Sequence, residues 1–258
     1  MKVLILAGGF GTRLSEETDL KPKPMVEIGG MPIIWHIMKL YSSFGLNDFI
    51  ILLGYKGYVI KEYFLNYYIR NSSVTVDLSN NETTIHHNAS EPWKITLLDT
   101  GLDSLTGTRI LKTKDYIDDE NFLLTYGDGL SNVNINDLIS FHKKNKKIVT
   151  LTAVQPQGRY GALSINENLL VEEFVEKPTG DGSWINGGFF VCSKAVFEYF
   201  DAHANEMFEE EPLKKLAKDN QLAAFKHAGF WQCMDTLRDK NYLSDLWDQG
   251  TAPWIIKG

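Results

Sequence analysis

Leu4-Ile5-Leu6-Ala7-Gly8-Gly9-Phe10-Gly11-Thr12-Arg13-Leu14, with Lys21-Pro22-Lys23-Pro24-Met25 close behind, is the stretch on which the reading of the fold turns. An apolar strand that empties into small residues, with cations just downstream, is the layout that cradles a phosphate chain, because backbone N–H groups and positive side chains converge on the anion. The two common phosphate loops do not fit it. A Walker A loop needs a glycine, four intervening residues and then Gly-Lys-Ser/Thr, and no such run follows Gly8. A dinucleotide fingerprint fails at Leu14, which stands where the third glycine of G-x-G-x-x-G belongs. A ligand-free turn is the bland alternative, since glycine is the default residue at positive φ. Three glycines together with Arg13 and Lys23 exceed what a turn asks for.

Outward from this loop the chain alternates strand and helix. Val3 to Leu6 reads as a buried strand. Pro32 to Phe44 reads as a helix with Pro32 at its first position and apolar residues at Ile33, Ile34, Ile37, Met38 and Tyr41. A strand over Phe49 to Leu53 and a helix from Tyr58 to Ile69 follow. Further strands are expected at Ile95 to Leu98, Phe122 to Tyr126 and Ile148 to Val154, with helices over Thr108 to Tyr116 and Ile135 to Lys144 between them. This rhythm implies an α/β fold with a mostly parallel sheet covered on both faces. The second half predicts short strands at Ala162 to Ile165, Val171 to Glu176 and Gly187 to Cys192, then helices over Lys194 to Phe200 and Pro212 to Lys218. Val74 to His87 fits an inserted hairpin turning at Asn80-Asn81. No segment has the composition of a linker.

With 258 residues, 43% of them hydrophobic, the chain can bury a sizeable core. A formal net charge of −7 argues against a nucleic-acid surface, so an anionic ligand must be met by local cations. The two cysteines, Cys192 and Cys233, lie far apart in apolar segments, which excludes a disulfide framework and fits the cytoplasm. No apolar run approaches membrane-spanning length, and the start is too short for a signal peptide. His86-His87 have no third histidine at metal-binding spacing.

In parallel sheets, ligands gather where strands end, so polar residues just after apolar runs are the candidates for chemistry. Asp99-Thr100-Gly101, Gly127-Asp128-Gly129, Glu176-Lys177-Pro178 and Asp235-Thr236 all hold such places. Asp128 between two glycines offers hard oxygen ligands where a cofactor can approach the backbone, with magnesium the natural partner. Taken alone it is also an ordinary turn residue, and Asp235 alone is a helix N-cap. Lys177 reads as a solvated lysine or as a cation for a second phosphate. Glu176 reads as a salt-bridge partner or as an acceptor for sugar hydroxyls, and Asn186-Gly187-Gly188 as a strand bend or a close approach to ligand.

The opening segment through Met25, Gly127-Asp128-Gly129, Glu176-Lys177-Pro178 and Asp235 together resemble the sugar-1-phosphate nucleotidyltransferases, over essentially the whole chain. Lys21 to Glu27, Gly54-Tyr55-Lys56-Gly57-Tyr58, Asp99-Thr100-Gly101, Tyr126 to Gly129 and Gly229-Phe230-Trp231-Gln232 resemble the branch that uses CTP with α-D-glucose 1-phosphate. The resemblance implies a modified Rossmann-like fold with a mixed, mostly parallel sheet flanked by helices. It implies one nucleotidyltransferase domain over residues 1–258, nucleotide-binding to about 130 and sugar-phosphate-binding beyond. By position, Leu6, Ala7, Gly8, Gly9, Phe10, Gly11, Thr12 and Arg13 would wrap the nucleotide, with Arg13 and Lys23 on its phosphates and Gly127 beside Asp128. Ser104, Thr106, Gly107 and Arg109 would meet the base. Asp128 and Asp235 would hold Mg2+. Lys177 would contact the sugar phosphate, and Gly161, Glu176, Asn186 and Gly187 would complete the sugar side. Arg13, Lys23, Asp128, Lys177 and Asp235 are thus the expected catalytic set.

The same resemblance implies cytidylyl transfer giving CDP-glucose, a homo-oligomer to which the aromatic tail from Trp247 to Ile256 contributes, and a product destined for cell-surface polysaccharide such as O-antigen. Neither a nucleic-acid nor a membrane partner is expected. A uridylyl- or thymidylyltransferase on the same scaffold is the nearest alternative. A glycosyltransferase fits less well, because Asp128-Gly129-Leu130 lacks the second aspartate of an Asp-x-Asp motif. A non-catalytic nucleotide-sugar sensor presenting Trp247 and Trp254 is the third.

Overall fold

The computed structural model describes residues 1–11, 21–156, 162–165, 170–175 and 183–256. Its centre is a seven-stranded sheet. In chain order the strands are β1 (Val3–Ala7), β4 (Asp48–Leu53), β7 (Lys94–Asp99), β8 (Asn121–Tyr126), β10 (Val149–Val154), β13 (Ile185–Ser193) and β14 (Leu222–His227). The spatial order is β14-β10-β13-β8-β1-β4-β7. β1 pairs parallel with β4 and β8, β4 with β7, and β10 with β14. β13 runs antiparallel between β8 and β10, which makes the sheet mixed.

The inner strands read as continuous apolar runs because both faces are covered. Val3, Ile5 and Ala7 of β1 and Phe49, Ile51 and Leu53 of β4 belong to one core, while Leu4, Leu6, Ile50 and Leu52 belong to the other. The period of two is the pleat itself. α1 (Ile33–Ser42) packs on the first core through Ile33, Ile34, Ile37, Met38 and Tyr41, the positions that its helical spacing predicts. Pro32 stands just outside this helix with extended backbone. It closes the small ladder of β2 (Glu27–Ile28) and β3 (Met31–Pro32), so the helix starts one residue later than expected.

Other boundaries shift for local reasons. The helix expected over Tyr58 to Ile69 divides at Asn66 into α2 (Gly57–Leu65) and α3 (Tyr67–Arg70). The one expected over Thr108 to Tyr116 is α4 (Thr106–Leu111), followed by a separate 3-10 turn at Lys114–Tyr116. Lys194–Tyr199 is likewise 3-10 rather than α. The inserted hairpin is present as β5 (Ser72–Asp77) and β6 (Glu82–Asn88), with Asn81 in the left-handed region at φ 55. β9 (Gly129–Ser131), β11 (Ala162–Ile165), β12 (Val171–Val175) and β15 (Trp231–Cys233) form short ladders beside the sheet, β9 with β15 and β11 with β12. α5 (Ile135–Asn145), α6 (Glu211–Lys218) and α7 (Leu237–Asp248) complete the layers. Among the described residues no helix is long and apolar enough to cross a membrane.

In the aromatic tail Trp254 packs on its own chain, which takes it out of the exposed surface expected of a sensor. Trp254 is fully buried, and its indole N–H donates to Nδ1 of His36 at 3.2 Å. His36 therefore carries its proton on Nε2, which donates to the Ile28 carbonyl at 2.9 Å. Trp247 meets the same ring edge-on. Burial pushes the pKa of His36 down to about 4, against the hydrogen bonds that favour the charged form. In the unfolded chain the imidazole charges at about 6.5, so its neutral form stabilises the fold fully above that pH and progressively less as pH falls toward 4. The expected loss is about 3 kcal/mol at 1.36 kcal/mol per pKa unit. Urea unfolding between pH 7 and 4 checks this, with the slope expected to flatten in His36→Gln.

Candidate active site

Four strands, β1, β4, β7 and β8, end at the same edge of the sheet. Ala7 of β1 pairs with Leu53 of β4, Leu53 with Asp99 of β7, and Leu6 with Tyr126 of β8, so the residues that follow lie at one level. That edge is where open α/β sheets take ligands. A cavity of about 330 Å³ opens there. Residues Leu6 to Gly11 line one side, Lys23, Tyr126, Gly127, Asp128 and Asp235 its floor, and Leu102 to Thr106, Arg109 and Met207 the other side. The volume suits a small organic ligand.

Arg109, expected to meet the base, spends its guanidinium on the walls. Its Nη1 donates to the Leu53 carbonyl at 2.9 Å, the Thr100 hydroxyl at 2.6 Å and the Gly101 carbonyl at 2.8 Å. Nη2 donates to the carbonyls of Gly8 and Leu102, both at 3.1 Å. The group is 4% exposed, and burial lowers its pKa against the opposing pull of Asp99 and Asp103. A planar fork with donors on both nitrogens can tie the ends of β1, β4 and β7 together. The glycines beneath it are demanded by this fit, since a Cβ on Gly8 would stand 2.4 Å from the guanidinium carbon and one on Gly54 2.5 Å from Nη1.

The wall formed by residues 102–106 is buttressed from behind by residues 204–209. Glu206 accepts the N–H groups of Gly107 and Thr108 through its carbonyl, and Asn205 accepts from Leu105 and donates to Asp103. Ser104 donates to the Thr100 carbonyl. Thr106 donates to Glu209 at 2.6 Å while accepting from the Phe208 N–H at 2.9 Å, so its hydroxyl serves the wall.

On the floor, Lys23 sits in the 3-10 turn that follows Pro22. Its ammonium lies 2.6 Å from a carboxylate oxygen of Asp128 and 2.6 Å from one of Asp235. Burial opposes the charge, but the carboxylate of Asp128, helped by the hydrogen bonds to both aspartates, outweighs it and holds Lys23 above the ordinary lysine range. Asp128 lies in the turn between β8 and β9, and Asp235 just ahead of the Thr236 capping box that starts α7. Cys233, at the end of β15, joins them: donor atoms of Asp128, Cys233 and Asp235 lie within 4.8 Å of one another. Burial, and then the charge of Asp128, pushes the Cys233 thiol up, so it is a neutral neighbour at physiological pH. The two carboxylates already gather on a cation, the ammonium, and their hard oxygens fit a divalent ion of the magnesium type.

Of the expected site residues, the cavity thus unites Leu6, Ala7, Gly8, Gly9, Phe10, Gly11, Lys23, Ser104, Thr106, Arg109, Gly127, Asp128 and Asp235. Gly107 is buried behind the wall, against the Glu206 carbonyl. Asn186 and Gly187 lie outside the cavity lining: Asn186 donates to the Tyr126 hydroxyl at 3.1 Å, and the Gly187 carbonyl accepts from Trp231 at 2.7 Å. Thr12, Arg13, Gly161, Glu176 and Lys177 lie outside the described residues. Sequence reasoning missed Met207 and Glu209, whose neighbours Glu210 and Glu211 make the stretch look like a solvated acidic surface.

The comparisons agree with this geometry. A family model for nucleotidyl transferases matches residues 2–239. The chain is similar to a glucose-1-phosphate cytidylyltransferase of Salmonella typhimurium, 57% identical over 255 residues that cover 98% of each chain. It is also 50% identical over 256 residues to a probable glucose-1-phosphate cytidylyltransferase of Bacillus subtilis, covering 99% of this chain and 100% of the other. Among solved structures, HddC from Yersinia pseudotuberculosis complexed with GMP-PN shares the fold with a TM-score of 0.69 at 24% identity, over 95% of this chain and 99% of that one. A match that runs from the first strand past Asp235 leaves one conclusion: the chain belongs to the nucleotidyl transferase family.

Proposed function

We propose that the chain transfers the cytidylyl group of CTP to α-D-glucose 1-phosphate, releasing pyrophosphate and leaving CDP-glucose. The observation that carries the substrate pair is the 57% identity across the whole length of a glucose-1-phosphate cytidylyltransferase. The cavity supports the reaction class, because the sugar phosphate is already an anionic nucleophile and needs no general base. In-line attack on the α-phosphorus is opposed chiefly by repulsion between two polyanions, so positioning and positive charge must supply the rate. Alignment of both substrates is worth roughly 7–11 kcal/mol, and each well-placed donor about 10²- to 10³-fold in rate.

The backbone N–H groups of the glycine loop and Lys23 would receive the triphosphate, with Arg13 reinforcing them. Lys177 would hold the sugar phosphate, Glu176 and Asn186 the glucose hydroxyls, and Gly161 and Gly187 the approach to them. Asp128 and Asp235 would hold Mg2+, which neutralises phosphate charge when bound. Lys23, released from the carboxylates, would then be free to turn toward phosphate. CTP differs from UTP by an exocyclic amine where UTP has a carbonyl, so an acceptor on the wall at residues 102–106 must face it, and a backbone carbonyl suffices. We further propose that the chain is a cytoplasmic homo-oligomer whose product feeds CDP-linked sugars of O-antigen type. Within the chain, residues to about 130 would serve the nucleotide and the remainder the sugar phosphate.

A matrix of four nucleoside triphosphates against glucose, mannose and galactose 1-phosphates, read by pyrophosphate release, tests this. CTP with glucose 1-phosphate is expected to exceed every other pair by about 10²-fold or more, since a site built on a hydrogen-bond pattern rejects partners that leave it unpaired. Equal turnover of UTP or dTTP would replace the assignment with one of the sister activities.

A further inference from the structure

One carboxylate touches a wall and the floor of the cavity at once. Oε2 of Glu209 accepts from the Thr106 hydroxyl at 2.6 Å, and Oε1 accepts from the Tyr126 hydroxyl. Thr106 belongs to the wall at residues 102–106, and Tyr126 is the last residue of β8, two before Asp128. Tyr126 in turn accepts from Asn186 at 3.1 Å, and the Asn186 side chain also accepts from the Gly188 N–H at 2.9 Å. The hydrogen bonds thus run from the nucleotide wall through Glu209 and Tyr126 to β13, on the side where the sugar phosphate is placed.

The Tyr126 ring is fixed as tightly as its hydroxyl. It meets Phe190 edge-on at 5.9 Å and lies on Gly188, where a Cβ would come within 2.4 Å of the ring. Gly188 also has φ +81, so the close approach and the backbone both call for glycine. Burial, and then the charge of Glu209, pushes the Tyr126 pKa up, which keeps the phenol protonated and donating. A half-buried carboxylate that accepts two hydroxyl donors holds them with charge-assisted bonds, each stronger than a neutral pair.

We propose that Glu209 is a positioning residue that couples the two substrate sides: a ligand that orders the wall at Thr106 sets Tyr126, and through it Asp128 and Asn186, for the second substrate. This rests on the two-substrate reading above. Both substrates bias the same carboxylate, so the coupling is reciprocal, and each substrate tightens the other by about 10-fold.

The test uses the full-length protein, magnesium, glucose 1-phosphate and a CTP analogue with a methylene bridge between the α- and β-phosphorus. Calorimetry measures the glucose 1-phosphate Kd with and without the analogue, and steady-state kinetics run in parallel. In the wild type the analogue is expected to tighten glucose 1-phosphate about 10-fold. Glu209→Gln keeps the shape but removes the charge and puts a donor in place of one acceptor oxygen, so one hydroxyl must reverse its role or lose its bond, and the ratio is expected to fall toward one. Its kcat is expected to drop about 10-fold, equivalent to one charge-assisted hydrogen bond. Thr106→Val and Tyr126→Phe each remove a single leg. Either combined with Glu209→Gln is expected to add little to the loss of coupling, whereas a merely structural carboxylate would give additive losses of stability with the ratio intact. If Glu209→Gln does not fold, Tyr126→Phe carries the same measurement. A ratio near one in the wild type, or an unchanged ratio in the folded variants, overturns the coupling. Absence of wild-type turnover with CTP and glucose 1-phosphate would instead overturn the activity on which it rests.

Discussion

Replacement of Asp128 by alanine is expected to lower kcat by about 10³-fold or more while the unfolding midpoint stays near that of the wild type. The carboxylate is one of two that hold the Lys23 ammonium, each at 2.6 Å. Its loss removes half of a hard-donor pair, and metal-assisted charge neutralisation is worth several kcal/mol in reactions of this class. The ammonium left behind keeps Asp235 as a partner, so a buried cation is not stranded. Asp128→Asn separates charge from shape and is expected to lose nearly as much, since an amide oxygen is a weaker ligand without the negative charge. Initial rates across a magnesium titration check both variants. Recovery of wild-type kcat at high magnesium would show that Asp128 only tunes ion affinity.

The second large effect is expected at Arg109, and it is one of stability as well as binding. Arg109→Ala would leave the carbonyls of Gly101 and Leu102 without their side-chain donor, while Gly8 keeps the Tyr55 N–H and Leu53 keeps the N–H and hydroxyl of Thr100. An acceptor left unsatisfied is destabilising by about 1–3 kcal/mol, and these two are only part-buried, so a total of about 2 kcal/mol is expected with partial rescue by water. That corresponds to a fall in melting temperature on the order of 5 °C for a chain of this size. Nucleotide affinity should fall with it, because the same bonds set the spacing between the glycine loop and the opposite wall. Arg109→Lys keeps the charge but offers three donors from a single nitrogen where the fork uses two. It is expected to restore less than half of the stability. Thermal melts with and without CTP measure both terms, and a melting temperature within about 2 °C of the wild type in Arg109→Ala would overturn the bracing role.

How much of this is legible in the sequence depends on whether the signal is local. The strands at Val3, Phe49 and Phe122 announce themselves as apolar runs because both faces of the sheet are covered. Asp128 and Asp235 stand out as polar residues at the ends of such runs, and the fold brings both onto Lys23. β14 is different: an edge strand with Ala223 and Ala224 at its centre has neither the alternation nor the side chains that mark a strand. The task of Arg109 is invisible for a deeper reason. A motif shows which groups can donate, but its acceptors are main-chain carbonyls brought together from β1, β4 and the turn after β7. Glu209 is hidden in the same way, since its hydroxyl partners come from 103 and 83 positions away.

Lys23 meets Asp235 across 212 positions of the chain, and Trp254 locks onto His36 across 218. Both contacts close early sequence against late sequence. On a ribosome the glycine loop emerges long before Asp235, and its floor has no second carboxylate until the 212 positions after Lys23 have been translated. Contacts of such separation form late and slowly, because a long loop must close before it is rewarded. The glycine loop and Lys23 are thereby kept from completing their carboxylate floor until residue 235 has been translated.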